Sequence, residues 1–115
     1  MIGTLIVLGL LAATIVCFWD TIEKWLKTSV ADFIEEKFGY GARKKFIKAV
    51  VTVSKVRDKV LNHTVSYVKK GVLEGGGYKK ITTEHEIAVE DIKDDEFLAD
   101  LNRESQLIKV YDMQN

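Results

Sequence analysis

Hydrophobic and polar positions divide the chain into stretches of different period. Residues 2–19 carry no charge, and ten of these eighteen are Leu, Ile, Val or Phe. At a rise of about 1.5 Å per residue they would span roughly 27 Å as a helix, close to the roughly 30 Å core of a bilayer. Apolarity on every face predicts a single transmembrane helix, with Trp19 and Trp25 as aromatic anchors at the membrane interface. No basic residue precedes the run and no Ala-x-Ala site follows it, which argues against a cleaved signal peptide. The basic residues all follow the run. The positive-inside rule then predicts a single-pass protein of the cell membrane with its C-terminal bulk in the cytoplasm.

From Ile22 the apolar residues fall at Leu26, Val30, Ile34 and Phe38, an unbroken i, i+4 row with charged residues opposite. That pattern predicts an amphipathic helix ending at Gly39-Tyr40-Gly41, lying in the membrane interface or packed on a neighbour. Over residues 42–73, Phe46, Ala49, Val53, Val56, Val60, His63 and Tyr67 recur at spacings of 3 and 4. This heptad-like seam predicts a second helix and a helix-packing or oligomerisation face. Valine lowers helix preference, so that helix needs a packing partner, and a local strand over Ala49–Val53 competes with it. After Gly75-Gly76-Gly77, read as a hinge, β-branched content over residues 78–89 favours strand. Asp94 or Asp95 caps a short helix over 95–104, and a last strand covers 107–111.

These elements predict a mainly α fold: one N-terminal transmembrane helix, an amphipathic helical hairpin, and a small acidic α+β C-terminal module. The corresponding domains are 1–19, 20–73 and 74–115. Proline is absent, in keeping with uninterrupted helices.

Net charge is zero, but its distribution is not even. Residues 20–70 hold twelve Lys and Arg against six acids, and residues 71–115 hold five against eleven. A basic block and an acidic block can fold together or meet between neighbouring copies, head to tail. The basic stretch around Lys44, Lys45 and Lys48 lacks an aromatic platform, so an anionic surface accounts for it better than nucleic acid.

Candidate chemistry is sparse. The one cysteine, Cys17, lies in the apolar run and has no disulfide partner. His63 falls on the predicted seam, and Glu84-His85-Glu86 would put its side chains on alternate faces of a strand. No metal-binding or phosphate-cradling motif is present, and Gly75–Gly77 lacks the Lys-Ser/Thr that a phosphate loop requires. The expectation is a non-enzymatic scaffold or assembly subunit of a membrane-associated oligomeric complex, acting through helix packing and charge complementarity. It has no cofactor, metal, nucleic acid or small-molecule substrate. Its partners are the lipid bilayer and copies of itself or other subunits of a membrane complex. An exported pilin-like filament subunit and a small membrane-permeabilising toxin are the alternatives.

Overall fold

The computed structural model describes residues 14–114 and, as backbone, residues 3–6. Strand β1 (Gly3–Ile6) is followed by a continuous helix over residues 18–38. That helix comprises α1 (Phe18–Trp25), a π-helical segment (Leu26–Val30) and α2 (Ala31–Phe38). Then come β2 (Phe46–Val56), β3 (Lys59–Lys69), β4 (Tyr78–Ala88), α3 (Asp95–Glu104) and β5 (Gln106–Asp112). The strands form one sheet in the order β1-β4-β3-β2-β5. β1 runs parallel to β4, and every other neighbour is antiparallel.

Two expectations are corrected. The transmembrane helix over 2–19 gives way to a strand at Gly3–Ile6 and a helix that starts only at Phe18, whose side chain is wholly buried. Among the described residues no helix is long and apolar enough to cross a membrane. Residues 7–13 of the expected span lie outside the described residues. Continuous apolarity does not separate a spanning helix from short segments that pair with a sheet and then enter a core. The single-pass anchor and the cell-membrane localisation inferred from it fall with that helix.

The predicted helix over 42–73 is instead the β2–β3 hairpin. With 42% of the described residues in strands, the fold is α+β rather than mainly α. The hairpin turns at Arg57-Asp58, between the paired residues Val56 and Lys59. Burial alternates along both strands, with Ala49, Val51, Val53, Val60, Asn62, Thr64, Ser66 and Val68 facing inward. The apparent heptad sampled both sides of this ladder. Phe46, Ala49, Val53 and Val60 enter the core, whereas Val56, His63 and Tyr67 stand on the opposite face. A register shift between Phe46 and Lys48 lets Phe46 and Ala49 share a face despite a spacing of three.

The long helix crosses the inner face of the sheet. A strict i, i+4 row drifts by about 40° per step on an ordinary α-helix, so Ile22 and Phe38 would end on nearly opposite sides. The π-helical segment takes up this drift. Its wider turn, closed by the Ala31 N–H donating to the Leu26 carbonyl, rotates Val30, Ile34 and Phe38 back toward the sheet. Thr28 contributes by donating its hydroxyl to the Lys24 carbonyl at 2.7 Å.

One carboxylate ties the helices together. Asp94 accepts from the Phe97 N–H at 3.1 Å, capping α3, and from the Phe18 N–H at 2.7 Å, capping α1. The Phe18 and Phe97 rings stack directly beneath it, with centroids 3.8 Å apart.

Candidate functional site

Apolar side chains fill both ends of the space between the helix and the sheet, but its middle is polar. β3 presents Asn62, Thr64 and Ser66 inward, and β4 presents Thr83 and His85. In the antiparallel ladder Asn62 stands opposite His85 and Thr64 opposite Thr83. Side chains on one face of such pairs lie within about 5 Å at Cβ, so the five form one contiguous patch. Trp25 covers it from the helix, its ring centroid 5.0 Å from that of His85. The π-helical segment begins at the next residue, Leu26.

Within the patch one hydrogen bond satisfies two groups, the Thr64 hydroxyl donating to Asn62 Oδ1 at 2.8 Å. Six other buried atoms find no partner among the described residues: Trp25 Nε1, Asn62 Nδ2, Ser66 Oγ, Thr83 Oγ1, and both His85 nitrogens. Each buried unpaired polar group costs about 1–3 kcal/mol. Six would cost roughly 6–18 kcal/mol, as much as the roughly 5–15 kcal/mol total stability of an ordinary domain. Groups beyond the described residues must therefore meet many of these atoms.

The chemistry of the patch is neutral. Burial pushes the His85 imidazole below its ordinary value, leaving it uncharged at neutral pH with one donor and one acceptor nitrogen. Trp25 Nε1 and Asn62 Nδ2 are fixed donors, and the Ser66 and Thr83 hydroxyls turn either way. None of the six residues carries a charge to offset a buried ion. Among the described residues no group of three or more His, Cys, Asp or Glu is placed to hold a metal. His85 retains 8% exposure, whereas Asn62, Ser66 and Thr83 retain none, so His85 marks the side nearest solvent.

The residues singled out from the sequence are dispersed. Trp25 belongs to the patch as a buried lid. Trp19 is half-buried, edge-on to Phe18 and Phe97, and its carbonyl accepts from the Tyr111 hydroxyl at 2.9 Å. Phe46, Ala49, Val53 and Val60 are core side chains. His63 pairs with Glu84 at 3.3 Å on the outer face, beyond reach of the patch. Cys17 is exposed at the start of α1, and a hydrogen bond with Asp20 raises its thiol above the ordinary value, the reverse of an activated nucleophile. Sequence reasoning passed over Ser66 and Thr83 and gave Asn62 and Thr64 no interior role. Their signal was the alternation 62-64-66 and 83-85, legible only once both segments are known to be strands.

Fold and site together define a small α+β domain in which a helix with a π-helical turn covers a polar sheet interior. Comparison with protein-family models, curated proteins and solved structures finds no match.

Proposed function

We propose that this protein is a binding domain for a small, uncharged polar molecule held between the N-terminal helix and strands β3 and β4. The single observation that carries the reading is a set of six buried polar atoms without a partner among the described residues, one on Trp25 and five on the strands it covers. Two fixed donors call for a carbonyl or hydroxyl oxygen on the ligand. The flat faces of Trp25 and His85 suit a planar amide or a heteroaromatic ring. An ionised ligand is disfavoured, because nothing in the patch would offset its desolvation.

Binding without chemical transformation fits the same geometry. His85 is the one titratable imidazole of the patch, and it makes no hydrogen bond to a hydroxyl that it might activate. This keeps the expectation of a non-enzymatic protein and departs from the expectation that no small molecule takes part. The anchored scaffold, the filament and the toxin all drew on an apolar helix over 2–19, and none is carried forward.

The test is a titration of isotope-labelled protein with small uncharged amides, polyols and lactams, followed at the indole N–H of Trp25 with that of Trp19 as reference. We expect a saturable shift at Trp25 and His85 with at least one class, and its loss in Thr83→Val and Asn62→Leu. An unmoved Trp25 indole at millimolar ligand, with protein–water cross-relaxation locating long-lived waters on the patch, refutes the reading.

A further inference from the structure

One end of the molecule carries a pattern unrelated to the interior patch. There β3 ends, β4 begins and the long helix stops, with Phe38 beside Lys79. The β3–β4 loop opens on Lys69 and Lys70 and closes on Lys79 and Lys80. Between these pairs Val72 is 93% exposed and Leu73 is fully exposed. The turn after the helix carries a third such side chain, the fully exposed Tyr40, followed closely by Arg43, Lys44 and Lys45. Tyr40 and Lys45 from one turn and Lys69 and Glu74 from the other line a single groove, so the two turns are neighbours.

The loop is ordered by its own backbone. The Lys70 N–H donates to the Gly77 carbonyl at 2.9 Å, and the Gly76 N–H to the Gly71 carbonyl at 3.1 Å. Gly75, Gly76 and Gly77 hold φ 94°, 68° and 75°, a succession that residues with side chains would adopt only under strain. Glu74 fastens the base, accepting from the Gly71 N–H at 3.2 Å and pairing with Lys79 at 2.7 Å. The Lys79 ammonium in turn lies 4.4 Å from the Phe38 ring centroid. A shaped turn, tied to the helix end, therefore holds Val72 and Leu73 out in water.

Charge around these tips is one-sided. Arg43 is engaged by Asp32 and Glu35, and Glu74 by Lys79. Glu36 adjoins Lys37 in the chain, and Asp112 stands opposite Lys48 in the ladder. Lys44, Lys45, Lys69 and Lys70 remain in excess, and none of the four forms an ion pair among the described residues.

We propose that this end docks on the surface of an anionic lipid bilayer. Val72, Leu73 and Tyr40 enter the boundary between headgroups and acyl chains, and the lysines meet the headgroups around them. The contact is with one leaflet and involves no spanning segment. An anionic bilayer answers both halves of the pattern, because such binding adds the burial of apolar side chains to the attraction of basic ones. Tyrosine is at home at that depth. A nucleic-acid backbone offers nothing to aliphatic tips, and a second copy docked through the same end would set lysine against lysine.

Flotation of the full chain with phosphatidylcholine vesicles, alone or with about 30 mol% phosphatidylserine, reads the proposal. We expect binding only where the anionic lipid is present, and its release as salt rises from about 0.1 M to about 0.5 M. Val72→Ser with Leu73→Ser should weaken it by at least about tenfold. Lys69→Ala with Lys70→Ala should weaken it about 25-fold, at about fivefold per lysine. These four side chains lie outside the core, so circular dichroism should not change. A fluorophore on Leu73→Cys, in a Cys17→Ser background, should shift to the blue and be quenched by spin-labelled acyl chains. The same fluorophore on Glu96→Cys, on the exposed side of α3, should do neither. A chain that ignores the anionic vesicles overturns the proposal. Binding indifferent to the Val72 and Leu73 substitutions, or a label at 73 that stays in water, overturns docking through this end. A poly-uridine strand bound in preference to the vesicles, and lost in the lysine variant alone, assigns the end to nucleic acid and overturns it as well.

Discussion

Thr64 and Thr83 face each other across β3 and β4, both fully buried, and replacing each by Val should move stability in opposite directions. The Thr64 hydroxyl donates to Asn62 Oδ1 at 2.8 Å. Thr64→Val removes that bond and leaves the Asn62 oxygen unpaired, costing about 1–3 kcal/mol. The Thr83 hydroxyl has no partner among the described residues. Thr83→Val deletes a desolvated hydroxyl, puts a methyl in its place and keeps the β-branched shape that suits a strand, stabilising the ligand-free protein by about 1 kcal/mol. The two variants should therefore differ by about 2–4 kcal/mol, or roughly 8–15 °C in melting temperature for a domain of this size. Urea denaturation at pH 7 with an unchanged m-value is the suitable assay. If both substitutions destabilise to the same extent, the Thr83 hydroxyl is hydrogen-bonded in the ligand-free protein, and the accounting that leads to a ligand fails. The stabilised Thr83→Val should also be the weaker binder, a trade of function for stability.

Three further outcomes follow from particular contacts. Asp94→Ala removes the cap of α3 and the acceptor of the Phe18 N–H together, so it should cost about 2–3 kcal/mol, against about 1 kcal/mol for a single cap. A thermal-melt loss no larger than that of one cap would show that the bond to Phe18 contributes nothing. Arg57 holds φ 59 in the two-residue β2–β3 turn, so Arg57→Gly should stabilise by about 0.5–1 kcal/mol in the same measurement, and a lower melting temperature would contradict this. His85 has its folded pKa depressed below the ordinary 6.5 by burial. The unfolded chain therefore binds the proton first. The stability from burying neutral His85 is present above about pH 6.5 and is lost as pH falls toward the lower folded value, at up to about 1.4 kcal/mol per pH unit. His85→Gln should remove that component between pH 5 and 7, and parallel pH profiles for the two proteins would disprove it.

Much of the secondary structure was legible because its signals are local. The row Ile22-Leu26-Val30-Ile34-Phe38 marks the long helix. In hindsight its unbroken i, i+4 spacing, which no straight α-helix keeps on one face, also pointed to the π-helical turn. Asp94, the apolar pair Phe97 and Leu101, and the β-branched run after Gly77 mark α3 and β4. The β2–β3 hairpin was hidden for two physical reasons. Its turn is Arg57-Asp58, without the glycine or asparagine that normally supplies a positive φ. Its inward positions on β3 are Asn62, Thr64 and Ser66, so the strand shows no apolar–polar alternation, and the leftover valines imitate a heptad.

Local period and turn chemistry were therefore set by the sequence alone: a helix over 20–38, a break at the triglycine, and a capped helix before a final strand. The separation of a basic block from an acidic one was equally plain. Which side of each segment is interior was decided only by tertiary structure, because burial belongs to pairs of elements. Residues 2–19 are apolar enough for a bilayer, yet the described parts pair with β4 and enter a protein core, since the free energy of leaving water is similar in both. Asn62, Ser66, Thr83 and His85 look like surface residues until the helix closes over them, and only then do their unpaired atoms become a site.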